Sequence, residues 1–246
     1  MSKPKTISTR TALAWAALLL LDLSILGLVY AVLPDTRALN STDPIERVNT
    51  LPNFKPAIIR PNAKNYVPYR RIPKALRHSV ILLEDGKFFD HRGFDFEEMS
   101  KAVLNYLKHG KRLRGASTIS QQLVKNLYLS NERSWRRKIL EALITIKLEA
   151  QVPKERILEL YFNGIDWGRG VIGIRNAANH YFRIGPDSLS IKQSVFLASI
   201  IPNPARFSRN TKSIFVRTRM MMALEALYRA RIIDLDEYSY AVTDEL

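Results

Sequence analysis

From Ala12 to Leu33 the chain runs for 22 residues that are apolar except for Asp22 and Ser24. At about 1.5 Å per residue, an apolar helix of that length crosses a hydrocarbon core about 30 Å thick. Lys3, Lys5 and Arg10 precede it with no acid among residues 1–10, so the cation bias sets residues 1–10 as a cytoplasmic tail and 11–33 as an anchor, with the remainder on the far side. Asp22 works against insertion by roughly 2.5–3.5 kcal/mol, less than the leucine-rich flanks supply. Val29-Tyr30-Ala31 also fits a signal-peptide cleavage site, but the apolar run is long for one. Both readings export the rest of the chain.

The exported part carries an unusual charge. The whole chain has 38 Lys/Arg against 23 Asp/Glu, a formal +15. Residues 101–148 alone hold 11 Lys/Arg against Glu132 and Glu141. Such a balance asks for an anionic partner: nucleic acid, anionic lipid or a phosphorylated substrate. The absence of cysteine excludes disulfides, thiolate metal sites and cysteine nucleophiles. His78, His91, His109 and His180 show no paired metal-ligand spacing, which argues against a zinc enzyme.

Residues 34–72 read as a proline-rich stem, with Pro34, Pro44, Pro52, Pro56, Pro61 and Pro68 removing backbone donors and fixing φ. The latter half of that stem is placed to pack on the domain C-terminal to it. From Pro73 the periodicity is helical and alternating strand patterns are scarce, so 73–246 is expected to be one mainly α domain. Leu76, Val80 and Leu83 share a face; Met99, Val103 and Leu107 form a second stripe; Ile119, Leu123 and Leu127 a third; Trp135, Ile139, Leu143 and Ile146 a fourth. Lys108 to Arg114 reads as a basic loop. Pro153 opens a helix that Gly164 is placed to stop, and Ser190 with Gln193 reads as a capping box. Two further helices are expected over about 213–230 and 235–242.

Three places could carry chemistry. Glu84 follows Val80-Ile81-Leu82-Leu83 and precedes Phe88-Phe89. A carboxylate half-buried by such neighbours gains proton affinity, as a general base near neutrality requires; Glu84 or Asp85 could equally serve as a cap or a pair. Next, Thr118, Gln122 and Lys125 share one helix face opposite the apolar stripe. That row can grip a sugar and an anionic oxygen together, or simply face water. Last, Arg137 and Glu141 sit at i, i+4 amid Arg133, Arg136 and Lys138. Alone this is a surface ion pair worth a few tenths of a kcal/mol, but the excess of cations suits phosphate better than one carboxylate.

These same residues carry a resemblance. Glu84, Asp85, Phe88, His91 and Gly93 match E-D-x-x-F-x-x-H-x-G. Gly115 through Asn126 matches G-x-S-T-I-[TS]-Q-Q-x-x-K-N without a gap, and Arg137-Lys138-Ile139-Leu140-Glu141 matches R-K-x-x-E. Lys154 through Asn163 matches K-x-x-I-L-x-x-Y-L-N with Phe162 in place of leucine, and Leu197-Ala198 leads to Pro202-Asn203-Pro204. Over about residues 70–230 the chain resembles the peptidoglycan glycosyltransferases (glycosyltransferase family 51), and within them the monofunctional biosynthetic transglycosylases that lack a transpeptidase domain.

The resemblance implies a lysozyme-like fold with a larger lobe and a membrane-proximal jaw, the basic loop lying where the family has a mobile segment beside its cleft. It implies polymerisation of lipid II at the outer face of the bacterial cytoplasmic membrane. Glu84 would take the proton from the GlcNAc 4-hydroxyl of lipid II, whose oxygen displaces undecaprenyl pyrophosphate from C1 of the lipid-linked glycan chain with inversion. Lys125, Arg133, Arg137 and Lys138 would steady the pyrophosphate, and Thr118, Gln122 and Asn126 would line the donor site. Asp85, Phe88 and His91 also carry over as substrate-site residues. Glu141 would be the second catalytic acid, orienting those cations or a divalent ion; whether Mg or Mn is needed is left open, as are other cell-wall synthesis proteins as partners. Two rival readings stand beside this one: a lysozyme-like wall hydrolase and a non-catalytic basic membrane scaffold. Nucleic acid is disfavoured, because the cations lack interleaved stacking aromatics.

Overall fold

The computed structural model describes residues 9–40, 65–110, 117–129, 134–207 and 213–243. Its backbone divides into two units, Met1–Asp35 and Thr36–Leu246. The first holds one helix, α1 (Thr9–Val32). Within it the Ser24 hydroxyl donates to the Leu20 carbonyl at 2.8 Å, so that polar group is satisfied by the helix itself. The expected anchor is therefore helical, but among the described residues no helix is long and apolar enough to cross a membrane.

The second unit is mainly helical, in the order α2 (Lys74–Glu84), α3 (Phe96–His109), α4 (Ile119–Tyr128), α5 (Trp135–Gln151), α6 (Lys154–Gly164), α7 (Ile174–Phe182), α8 (Ile191–Ile200), α9 (Pro204–Phe207), α10 (Ile214–Arg229) and α11 (Leu235–Thr243). Among the described residues no strand is formed, and Asp166 makes an isolated β-bridge with Ile172. The starts follow from local chemistry. Thr118 and Ser190 each make a full capping box with Gln121 and Gln193, and Asp95, Ser134 and Ser213 accept from backbone N–H groups of their first turns; such caps are worth about 1 kcal/mol apiece.

Two packing groups result. In one, α2 lies against α8 and α10; in the other, α4 lies against α5 and α6. Leu76 and Val80 of α2 and Ile119 and Leu123 of α4 are buried, as their stripes require, and α8 is buried all round from Ser194 to Ile200. Trp167, Tyr161, Phe88 and Phe162 are the largest fully buried side chains.

Two expected apolar stripes point the other way. No residue of α3 is buried, and Val103 and Leu107 are exposed, because no described helix packs extensively along α3. On α5, Trp135, Ile139 and Ile146 are exposed while Glu141, Thr145, Lys147 and Leu148 are buried. The face of α5 turned inward toward α4 is thus the one that carries Glu141. Hydrophobic periodicity marks both faces of this helix, and the polar side won because its charges arrive already paired.

Both ends of the proline-rich stretch are fastened to the second unit. The short 3₁₀ helix Thr36–Asn40 buries Leu39; Asn40 Nδ2 donates to the Gln151 carbonyl (2.8 Å) and Arg156 Nε to the Leu39 carbonyl (2.7 Å). Farther on, Asn163 clasps Val67 from both sides, accepting its N–H and donating to its carbonyl, each at 2.8 Å. Glu159 accepts from the Tyr69 N–H (2.6 Å) and the Tyr66 hydroxyl.

Candidate active site

Glu84 is the last residue of α2, and the end of that helix meets the α4–α6 group. Its side chain is 10% exposed. One carboxylate oxygen accepts from Gln122 Nε2 of α4 at 3.2 Å; the other accepts from Arg219 Nη2 of α10 at 2.5 Å. Gln122 is fixed in turn, its Oε1 accepting from the Tyr161 hydroxyl of α6 at 2.9 Å. Three helices thus hold one carboxylate. Burial raises the proton affinity of Glu84 above the ordinary carboxylate range, while Arg219 and the Gln122 bond pull it back. Burial, reinforced by the negative charge of Glu84, pushes the Tyr161 hydroxyl well above its ordinary value, so it stays protonated and donates.

The next residue, Asp85, does a different job. Its Oδ2 accepts the first backbone N–H of α4, from Ile119, at 2.9 Å, and its Oδ1 faces His91 Nε2 at 2.8 Å. Gly93 N–H donates to His91 Nδ1 at 3.1 Å, which fixes Nδ1 as acceptor and leaves Nε2–H to donate to Asp85. The loop closes when the Thr118 hydroxyl donates to the Gly93 carbonyl at 2.7 Å. Gly93 needs to be glycine: its φ is +93°, and a Cβ there would stand 2.8 Å from Thr145 Cγ2 of α5. Phe88 is fully buried beneath the Lys154 ammonium, 4.4 Å from its ring centroid, with the His91 ring edge-on beside it.

On α5, Glu141 is buried, and its two oxygens are taken separately: Oε2 by Arg137 Nη1 at 3.2 Å and Oε1 by Lys138 Nζ. Both cations come from its own helix, four and three residues back. Arg137 Nε is buried without a hydrogen-bond acceptor. Among the described residues no group of three His, Asp or Glu could hold a metal ion, and Glu141 meets two cations, not a vacant ligand position.

Of the residues singled out in the sequence, Glu84 and Gln122 are in direct contact, Asp85, His91 and Thr118 are tied through Gly93, and Arg137, Lys138 and Glu141 form one cluster. Thr118 and Phe88 are buried, with the Thr118 hydroxyl engaged in the cap and the Gly93 contact. Lys125 and Asn126 are exposed on the last turn of α4. Arg133, Gly115 and most of the basic loop (111–114) lie outside the described residues. Sequence reasoning missed Arg219, and gave Tyr161 no role. Arg219 had a signal: it falls on the inward stripe of α10 set by Val216, Met220, Ala223 and Leu227, all buried, where a charged residue needs a partner.

The family profile described as Transglycosylase matches residues 52–228, and the chain belongs to that family. It is similar to proteins named biosynthetic peptidoglycan transglycosylase: from Nitrosospira multiformis, 44% identical over 159 residues, 64% of this chain and 69% of that protein; from Stutzerimonas stutzeri, 45% over 156 residues, 63% and 64%; and from Nitrosomonas eutropha, 45% over 167 residues, 68% of each. The aligned stretch spans about two thirds of the length of these relatives.

Proposed function

We propose that this chain is a peptidoglycan glycosyltransferase that polymerises glycan strands from lipid II. It transfers the growing lipid-linked chain onto the GlcNAc 4-hydroxyl of lipid II. The hydroxyl proton passes to Glu84 as the oxygen forms its bond to C1 of the donor sugar, and the C1–O bond to undecaprenyl pyrophosphate breaks with its electron pair leaving on the phosphate. Attack from the face opposite the leaving group inverts the anomeric centre. The observation that carries this reading is the state of Glu84: nearly buried, raised in proton affinity, and with one hydrogen bond accepted at each oxygen, so that each keeps a lone pair able to take a proton.

The leaving group supports the same reading. Arg137 and Lys138, with Lys125 and Arg133, are the cations to meet a pyrophosphate that gains charge as it departs. Glu141 fixes the Arg137 guanidinium in place. The apolar, cation-preceded helix α1 would place this domain at the outer face of the cytoplasmic membrane as a single-pass protein, and a lysozyme-like arrangement with a membrane-proximal jaw is the fold expected of it.

A hydrolase expels a neutral sugar and has no use for such a cradle. Incubation of the full chain in detergent with purified lipid II separates the readings. Polymer is expected from the native protein, and Glu84→Gln should lower the rate at least about 100-fold, the contribution of a positioned base. Solubilised wall fragments without polymer would establish the hydrolase; unchanged polymerisation by a folded Glu84→Gln would remove Glu84 from the chemistry.

A further inference from the structure

Among the described residues, the Glu84–Arg219 pair is the one long-range ion pair at this site. The partners lie 135 positions apart, and both are largely buried, with side chains 10% and 17% exposed. Arg219 brings the only cation that touches the carboxylate among the described residues. The other ionisable groups that bear on Glu84 are Asp85, next in the chain, and Tyr161 from α6; α8, packed along α2, has Lys192 in its first turn as its sole charged side chain. Gln122 is neutral. Burial and the neighbouring Asp85 disfavour a negative charge at Glu84, the Gln122 hydrogen bond favours it without bringing a charge, and the one formal countercharge is the Arg219 guanidinium.

The placement is equally telling. Arg219 belongs to the α2–α8–α10 group and Gln122 to the α4–α5–α6 group, so the two carboxylate oxygens are gripped from opposite sides of the joint between them. A carboxylate held at both oxygens cannot rotate about its last bond. Arg219 lies over the Phe215 ring, 5.8 Å from its centroid, which limits where the guanidinium itself can go.

We propose that Arg219 is the positioning residue of the reaction: its guanidinium holds one oxygen of Glu84 while Gln122 holds the other, so that the base meets the acceptor hydroxyl charged and aimed. This rests on Glu84 being the base. Arg219 acts through Glu84 and forms no bond to the reacting atoms.

The test is the pH profile of lipid II polymerisation by the full chain, for the native protein, Arg219→Gln and Glu84→Gln, with Michaelis constants for lipid II. In Arg219→Gln the uncompensated carboxylate gains proton affinity, so the acid limb of kcat moves upward by at least about one pH unit, the scale of an opposite charge at contact distance, with little change in KM. An acid limb that stays in place while KM rises would make Arg219 a substrate contact and overturn the proposal. An active Glu84→Gln would overturn the base assignment itself, a result separate from either. Should Arg219→Gln fail to fold near neutrality, Glu84→Gln/Arg219→Gln decides: the neutral pair regains the fold if Arg219 serves Glu84, and a double variant that is equally unfolded overturns the proposal.

Discussion

Glu84 and Glu141 are both nearly buried carboxylates flanked by cations, yet they are neutralised in opposite ways. Glu141 takes its partners from its own helix, Arg137 and Lys138 one turn back. Its pairing is local and can form as soon as α5 does. Glu84 takes its partners from α4 and α10, and exists in its working state only when the two helix groups have closed on each other. A locally paired carboxylate is a structural clamp on its cations. One paired across the fold has a proton affinity that depends on the tertiary structure, which is where an enzyme would put its base. The orphaned Nε of Arg137 and of Arg219 shows that neither cation is spent entirely on its carboxylate.

The joint that links the two sites is Gly93. It carries the His91 and Thr118 contacts on the Glu84 side and touches Thr145, one turn beyond Glu141. Gly93→Ala places a Cβ in a left-handed backbone conformation and against Thr145 Cγ2 and Glu149 Cγ. We expect a loss of about 3 kcal/mol of stability from strain and overpacking together, measured by urea unfolding, with polymerisation reduced because α4 shifts relative to Glu84. A stability change below about 1 kcal/mol would show that the two sites are not mounted on a common joint.

Removing one local partner tests the other half of the contrast. Arg137→Ala leaves Glu141 buried with Lys138 alone, and about 2 kcal/mol of stability should go, somewhat less than a fully orphaned buried charge costs. Lys138→Ala, at a position whose side chain is 44% exposed, should cost under about 1 kcal/mol. If the order were reversed, the ammonium and not the guanidinium would be the structural partner.

The two sites also differed in how far the sequence revealed them. Helix boundaries were legible where Ser190 with Gln193, Pro153 and Gly164 act as their residue types dictate; Thr118, read as part of the polar face with Gln122 and Lys125, is instead the buried N-cap of α4 in a capping box with Gln121. The inward faces of α2 and α4 were legible from Leu76 and Ile119. The orientation of α5 was not, since its apolar residues Trp135, Ile139 and Ile146 outweigh Ile144 and Leu148 by pattern, and periodicity does not register that Glu141 arrives paired. The exposed α3 was unreadable for a related reason: an amphipathic stripe says that a face is apolar, not that another helix covers it. Glu84 was legible from its apolar approach and Arg137 and Glu141 from their spacing. Arg219, which pairs with Glu84, lies 135 positions away, and no local pattern spans that distance.

The pH response separates the two carboxylates most directly. Glu84 is raised above the ordinary carboxylate range by burial, so the folded protein holds its proton to higher pH than the unfolded chain. With Glu84 as the proposed base, the rate is expected to drop as pH falls while still above the pH at which an exposed glutamate would titrate. The same shift makes the Glu84 contribution to folding most favourable at low pH and erodes it as pH rises through the folded value. Tyr161→Phe is the mildest way to disturb this arrangement. It removes the hydroxyl that fixes Gln122 and leaves the ring in its buried place, so stability should fall by about 1 kcal/mol, the worth of one hydrogen bond. With Gln122 free to turn its amide, Glu84 loses part of the donor that favours its charged form, and the acid limb of the polymerisation profile should move slightly upward, by less than in Arg219→Gln. A Tyr161→Phe limb that moved as far as the Arg219→Gln limb would transfer the control of Glu84 from the α10 arginine to the α4–α6 hydrogen-bond chain, and the contrast between a charge-held base and a locally clamped Glu141 would have to be redrawn around Gln122.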